Sequence, residues 1–323
     1  MAINKVVRAA LKAISYKEID VKENYNLKRN LVNLSHIHYL KPLYNSWDHE
    51  VYSKDHKIPV RIYAPDNDKD YPYIPDNNGE YPEVDYPFLL FFHGGGWVTG
   101  NIDSYNKVCT NMARRTKRMV VSVDYRLAPE YRFPNALHDC YEVAKVLKDV
   151  LERSNSKDKS IVIMGDSAGG NLAAALSLMA RDKNEFRIDK QILLYPSTYN
   201  DHSFNSPFES VRENGTDYLL TAKTINDYID LYKSSDDDLQ NPYFAPLLAE
   251  DLSYQPETLI ITAEYDPLRD EGEEFGKKLR EAGNSVETYR IKDALHGFFT
   301  LPQVFPQVKL CYNIINSFLN SEV

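Results

Sequence analysis

Short apolar runs recur along this chain at Phe88, Val120, Ile161, Ile192, Thr258 and Val286, with helix-like stretches between most of them. An unbroken run such as Phe88 to Phe92 fits a strand buried on both faces. Strands that alternate with helices return in the same direction through right-handed crossovers. This rhythm restricts the chain to a mostly parallel sheet flanked by helices, opened by the alternating segment Val51 to Tyr63. In such a sheet the loops at the carboxyl ends of the strands gather along one edge, where ligands bind.

One of those loops is Gly165-Asp166-Ser167-Ala168-Gly169, between the apolar run Ser160 to Met164 and the helix-like stretch Asn171 to Met179. A serine hydroxyl is a poor nucleophile unless a sharp strand-to-helix turn exposes it and a neighbouring base takes its proton. Gly165 and Gly169 let strand and helix approach closely. Ala168 supplies a backbone N–H that the start of a helix leaves unpaired. A G-x-S-x-G string alone is weak evidence, so the other loops matter.

Phe88 to Phe92 runs into His93-Gly94-Gly95-Gly96-Trp97, and glycines there allow N–H groups to converge on one oxygen. An isolated glycine triplet is most simply a turn, but this one falls at the sheet edge that carries the serine. After the strand at Thr258 come four acids, Glu264, Asp266, Asp270 and Glu271. A carboxylate at a strand end is what a histidine needs to fix its tautomer and stabilise the imidazolium. Asp266 sits just past the strand and before Pro267, whereas Asp270 and Glu271 begin the next helix, where acids favour the N-terminal end. Asp266 is the first choice and Glu264 the second. His296 follows the strand at Val286 and alone among the eight histidines lies downstream of the acid. The other seven, His36, His38, His49, His56, His93, His138 and His202, are read as packed or surface side chains.

Five motifs in order carry a resemblance. They are His93-Gly94-Gly95-Gly96-Trp97; Asp124-Tyr125-Arg126-Leu127-Ala128-Pro129-Glu130 with Phe133-Pro134; Gly165 to Gly170; Asp266-Pro267-Leu268-Arg269-Asp270-Glu271-Gly272; and His296-Gly297-Phe298. Over roughly two thirds of its length the chain resembles the hormone-sensitive-lipase-like carboxylesterases of the α/β-hydrolase superfamily. The resemblance implies an α/β-hydrolase fold with a helical cap, and a Ser167, His296, Asp266 triad acting on short acyl esters. It also implies an oxyanion hole of the Gly95, Gly96 and Ala168 N–H groups, with Asp124 to Pro129 as scaffold. Tyr105-Asn106 departs from the pattern, since many relatives carry His-Asp there. An amidase or deacetylase would use the same triad. A non-catalytic binding module on this fold is the rival from another class, and the presence of His296 argues against it.

The 323 residues are expected to form one catalytic domain, capped by about 1–50 and about 199–243. Ile3, Val6, Val7, Ala10, Leu11 and Ile14 recur at helical spacing with Lys5, Arg8 and Lys12 between them. That pattern fits a helix over the site better than a signal peptide or a membrane-surface helix. No apolar run is long enough to span a bilayer, so stable membrane insertion is not expected. A net charge of -9 argues against nucleic acid, which demands a basic face. Cys109, Cys140 and Cys311 form no framework, and an odd count points to the cytoplasm. His36-Ile37-His38 lacks further ligands, so neither metal nor cofactor is expected. The expected partner is a small-molecule ester; a homodimer stays open. The stretch Asp66 to Asp85, rich in acids, prolines and tyrosines, is read as a solvated insertion.

Overall fold

The structure, a computed structural model, describes residues 11, 12, 15, 20–34, 46–65, 86–154 and 158–321. The 66–85 insertion, the His36-Ile37-His38 triplet and, apart from Leu11, the N-terminal apolar stripe lie outside the described residues.

Eight strands form one sheet: β1 Ser46–Tyr52, β2 Lys57–Tyr63, β3 Phe88–Phe92, β4 Met119–Val123, β5 Val162–Asp166, β6 Lys190–Leu194, β7 Glu257–Tyr265 and β8 Val286–Leu295. Their spatial order is β1-β2-β4-β3-β5-β6-β7-β8. From β4 onward every neighbouring pair is parallel, while β2 runs antiparallel to both β1 and β4. The expected mostly parallel sheet is therefore present. The alternating segment Val51 to Tyr63 that opens the sheet takes in the end of β1 and the whole of β2. The polar run Ser53-Lys54-Asp55-His56 turns the chain, with the Ser53 N–H donating to the His56 carbonyl at 2.9 Å.

The helices are α1 Val21–Leu34, α2 Asn106–Thr116, α3 Asn135–Arg153, α4 Ala168–Lys183, α5 Glu209–Asn214, α6 Ala222–Tyr232, α7 Arg269–Glu281 and α8 Pro306–Asn320. Successive side chains of a strand point to opposite faces, so each strand feeds two cores. Phe88, Leu90 and Phe92 of β3 pack with α3 and α4 on one face. Leu89 and Phe91 pack with α2 and α8 on the other. Burying each such side chain contributes roughly 1.5–3 kcal/mol. This two-sided burial holds the carboxyl ends of β3, β5 and β7 in register, and the loops that follow them start from fixed points.

β8 runs further than its sequence pattern shows. The sequence reads Lys292 to Leu295 as loop, yet pairing continues to Leu295 through an irregularity near Ala263 and Tyr265. Asp293 takes a left-handed φ of 57° there, and its N–H donates to the Glu264 carboxylate at 2.7 Å. His296 thus leaves the end of a strand rather than a free loop.

Candidate active site

Ser167 stands between β5 and α4 with φ 56° and ψ -118°, a sparsely populated conformation for a residue with a side chain. The surroundings fix it. Its N–H donates to the Leu194 carbonyl at 2.9 Å, and its own carbonyl accepts from the Asn171 N–H at 3.0 Å. The flanking glycines are sterically required: a Cβ on Gly165 would lie 2.1 Å from the Gly169 carbonyl oxygen, and one on Gly169 would lie 2.0 Å from that of Phe92.

Three residues far apart in sequence meet at this turn. His296 Nε2 lies 2.8 Å from Ser167 Oγ, and His296 Nδ1 lies 2.7 Å from Asp266 Oδ2. The Asp266 side chain is fully buried and its other oxygen accepts the Leu268 N–H at 2.9 Å. An ionised carboxylate only accepts, so Nδ1 carries the imidazole proton and Nε2 offers its lone pair to the serine hydroxyl. The edge of the Tyr195 ring packs on His296 with centroids 4.9 Å apart, restricting rotation of the imidazole.

The other acids of the β7 loop have different partners. Glu264 holds the β8 irregularity through Asp293. Asp270 accepts the Ser210 N–H at 2.7 Å and pairs with Arg269. Both Asp270 and Glu271 lie in the first turn of α7, as their spacing suggests. Glu271 does more than complement a helix end. Fully buried, it accepts the Thr198 N–H at 2.6 Å and the His202 Nε2 proton at 2.5 Å, pinning the start of the 199–243 excursion to α7.

Asp166 is a site residue that the motif reading passed over. Its Oδ1 accepts the Gly94 N–H at 2.8 Å, and its Oδ2 accepts the Tyr105 hydroxyl at 3.0 Å and the Tyr195 hydroxyl at 3.4 Å. Tyr105 oxygen in turn lies 3.1 Å from the Gly94 N–H. The tyrosine that departs from the family pattern thus ties the serine turn to the glycine loop. Burial raises the Asp166 pKa to about 6 against these donors. His93 is buried and neutral at physiological pH, its pKa lowered to about 4 by burial. It stacks on Tyr125 at 4.2 Å, and the Tyr125 hydroxyl donates to the His93 carbonyl at 2.6 Å.

Gly95 and Gly96 have φ of 119° and 62°, and a Cβ on Gly96 would lie 2.3 Å from the Tyr228 ring. Among the described residues, the Gly95, Gly96 and Ala168 N–H groups have no hydrogen-bond partner. All three residues line a cavity of about 290 Å³ that also reaches Ser167 and His296. Its remaining wall is mostly apolar, from Trp97, Leu219, Leu220, Ile225, Tyr228 and Leu268. Residues 219–228 therefore form one side of the cavity.

α1 packs on α6 across the same side. Arg29 fastens it there, donating to the Val98 and Ala128 carbonyls at 2.7 Å each and pairing with both oxygens of Glu130. The Asp124 to Glu130 segment supports the glycine loop at several points: Asp124 accepts the Ile102 N–H and the Ala128 N–H donates to the Trp97 carbonyl. Cys109, Cys140 and Cys311 are free and buried. Among the described residues, no helix is long and apolar enough to cross a membrane.

A family model described as the alpha/beta hydrolase fold matches residues 89–300. The chain is 36% identical over 269 residues to an arylesterase of Saccharolobus solfataricus, covering 83% of this chain and 81% of that protein. It is 32% identical over 253 residues to an ethyl acetate hydrolase of Pseudomonas putida, covering 78% and 74%. Among solved structures it is similar to a hyperthermophilic esterase from the archaeon Pyrobaculum calidifontis. The TM-score is 0.83 at 32% identity, over 98% of this chain and 97% of that one.

Proposed function

The chain belongs to the α/β-hydrolase family, in its hormone-sensitive-lipase-like branch, and is a carboxylic ester hydrolase; we propose that it cleaves short acyl esters through an acyl-enzyme on Ser167. The observation that carries this reading is the His296 imidazole held between Ser167 Oγ at 2.8 Å and Asp266 Oδ2 at 2.7 Å, beside a cavity.

In the first half-reaction Ser167 Oγ attacks the ester carbonyl as its proton passes to His296 Nε2. The carbonyl oxygen becomes an oxyanion facing the Gly95, Gly96 and Ala168 N–H groups. Each such donor is worth about 10²–10³ in turnover, because it is fixed before charge develops. The intermediate collapses with cleavage of the carbon to alkoxide bond, and the His296 proton goes to the departing alcohol. Water then attacks the acyl carbon as its proton passes to His296, and the second intermediate collapses with cleavage of the acyl carbon to Oγ bond, His296 returning the proton to Ser167 Oγ as the acid is released. Asp266 keeps Nδ1–H pointed away from the serine and stabilises the imidazolium in both halves; general base catalysis of this kind contributes about 10²–10⁴.

Preference for short acyl groups follows from size. Ligand pockets span about 300–1,000 Å³, and this cavity of about 290 Å³ is at the small end. α1 and residues 199–243 act as the cap that bounds it. The test is turnover of p-nitrophenyl esters graded by acyl length, with Ser167→Ala as control. Activity should peak at short chains, and the variant should lose on the order of 10⁶ in turnover with an unchanged melting curve. More than a few per cent of wild-type turnover in purified Ser167→Ala would remove Ser167 from its role.

A further inference from the structure

Lys28 of α1 lines the catalytic cavity and, among the described residues that line it, is the one lysine or arginine. Its neighbours show how unusual its position is. Every other lysine and arginine of α1 and α6 has a carboxylate partner. Lys22 pairs with Asp230 at 2.7 Å, Arg29 with Glu130 at 2.8 Å, and Lys223 with Asp20 and Asp227 at 2.7 Å each. In a chain of net charge -9, carboxylates are plentiful, yet among the described residues Lys28 has none. Its ammonium lies 5.3 Å from the centroid of the Tyr228 ring. That contact engages one side of the group and leaves its N–H donors for another acceptor. Among the described residues of the cavity wall the one carboxylate is Asp166, whose oxygens are already taken by Gly94, Tyr105 and Tyr195.

The position of Lys28 is also fixed. Arg29, the next residue, is anchored to two backbone carbonyls and to Glu130, and Lys28 itself is half-buried against the Tyr228 ring that covers Gly96. A cation held in place before binding loses little freedom when a ligand arrives.

We propose that Lys28 selects esters that carry an anionic group, which docks on its ammonium while the ester carbonyl reaches Ser167. This rests on the esterase reading above and names its substrate class. The anion can sit on the acyl side, as in a half-ester of a dicarboxylic acid, or on the alcohol side, as in an acylated hydroxy acid. The apolar wall takes the methylenes between the two ends in either case.

The experiment measures kcat/KM for two matched pairs on the full chain. Monoethyl glutarate is compared with ethyl pentanoate for the acyl side, and 4-acetoxybutyrate with butyl acetate for the alcohol side. Lys28→Met keeps the aliphatic stem and removes the charge, and Lys28→Arg keeps the charge. In one of the two arms, Lys28→Met should lower the anionic-to-neutral ratio about tenfold, the scale of a charge-assisted hydrogen bond in a half-exposed site. Lys28→Arg should retain most of the ratio, and added salt should compress it in the wild type. The arm that responds identifies the side that carries the anion. If Lys28→Met leaves both ratios unchanged, or lowers neutral and anionic esters equally, the proposal is overturned while Ser167-dependent cleavage of the neutral esters stands. If the wild type cleaves no ester of either pair, both readings fall.

Discussion

Asp166 sits one residue before the serine, fully enclosed, and its pKa is raised to about 6 from an ordinary 3.8. The leading cause is burial, which disfavours the charged form and outweighs the Tyr105, Gly94 and Tyr195 donors that favour it. An acid whose pKa is higher in the folded state binds its proton more tightly there. It therefore stabilises the fold below pH 3.8, and that contribution disappears as the pH rises through about 6. With these two values the contribution is on the order of 1 kcal/mol at pH 5 and close to zero at pH 8. Other carboxylates act in the opposite sense, since Glu130, held low by Arg29, and Asp230, held low by Lys22, lose their stabilisation as pH falls. The total stability of the wild type thus hides the Asp166 term.

Asp166→Asn exposes it by difference. Urea unfolding of wild type and variant at pH 5 and pH 8 yields two stability gaps, and the wild type should gain on the order of 1 kcal/mol on the variant at the lower pH. Asparagine still offers one oxygen to the Gly94 N–H, but its NH2 group donates only and can accept neither tyrosine hydroxyl. The glycine loop should loosen, and turnover at pH 8 should fall on the order of tenfold, less than the 10²–10³ cost of losing an oxyanion donor outright. Gaps equal at the two pH values within about 0.4 kcal/mol would show that Asp166 titrates normally and that the balance of burial against hydrogen bonding argued here is wrong.

Three further substitutions separate the roles of residues in and around the site. Asp266→Asn should cost about 10⁴ in turnover because the imidazole loses the partner that sets its tautomer, whereas Asp270→Asn should keep most activity and lower the melting temperature through its Ser210 contact; the reverse ranking in steady-state kinetics would transfer the acid role to Asp270. Gly96→Ala forces a Cβ to 2.3 Å from the Tyr228 ring at a φ of 62°, so turnover should drop by about 10²–10³ as the N–H moves; a variant with near wild-type turnover on short esters would detach this loop from oxyanion stabilisation.

Sequence pattern and structure agree wherever the determining interactions are local, and part where they are not. Apolar runs such as Phe88 to Phe92 mark strands because burial on both faces needs nothing beyond the run itself, and Gly165 and Gly169 mark a tight turn because only glycine avoids a clash near 2 Å. Ser167, Asp266 and His296 could be nominated from loop positions and chain order alone. The choice between Asp266 and Glu264, by contrast, depends on how β8 bends. Asp293 turns left-handed there and claims Glu264, an event set by pairing between strands 29 residues apart. Asp166 and Tyr105 are separated by 61 residues, and Glu271 and His202 by 69. Nothing in the composition around any of these four residues distinguishes a buried partner from an exposed one. Tyr105 shows the consequence most clearly. As a departure from a motif it reads as a question about local hydrogen bonding and substrate preference, and the hydrogen bonding is specific: its hydroxyl bridges Asp166 and the Gly94 N–H. The same geometry that positions the loop therefore makes Tyr105 sensitive to loss of a single oxygen, a dependence that becomes visible only once β3 and β5 lie side by side.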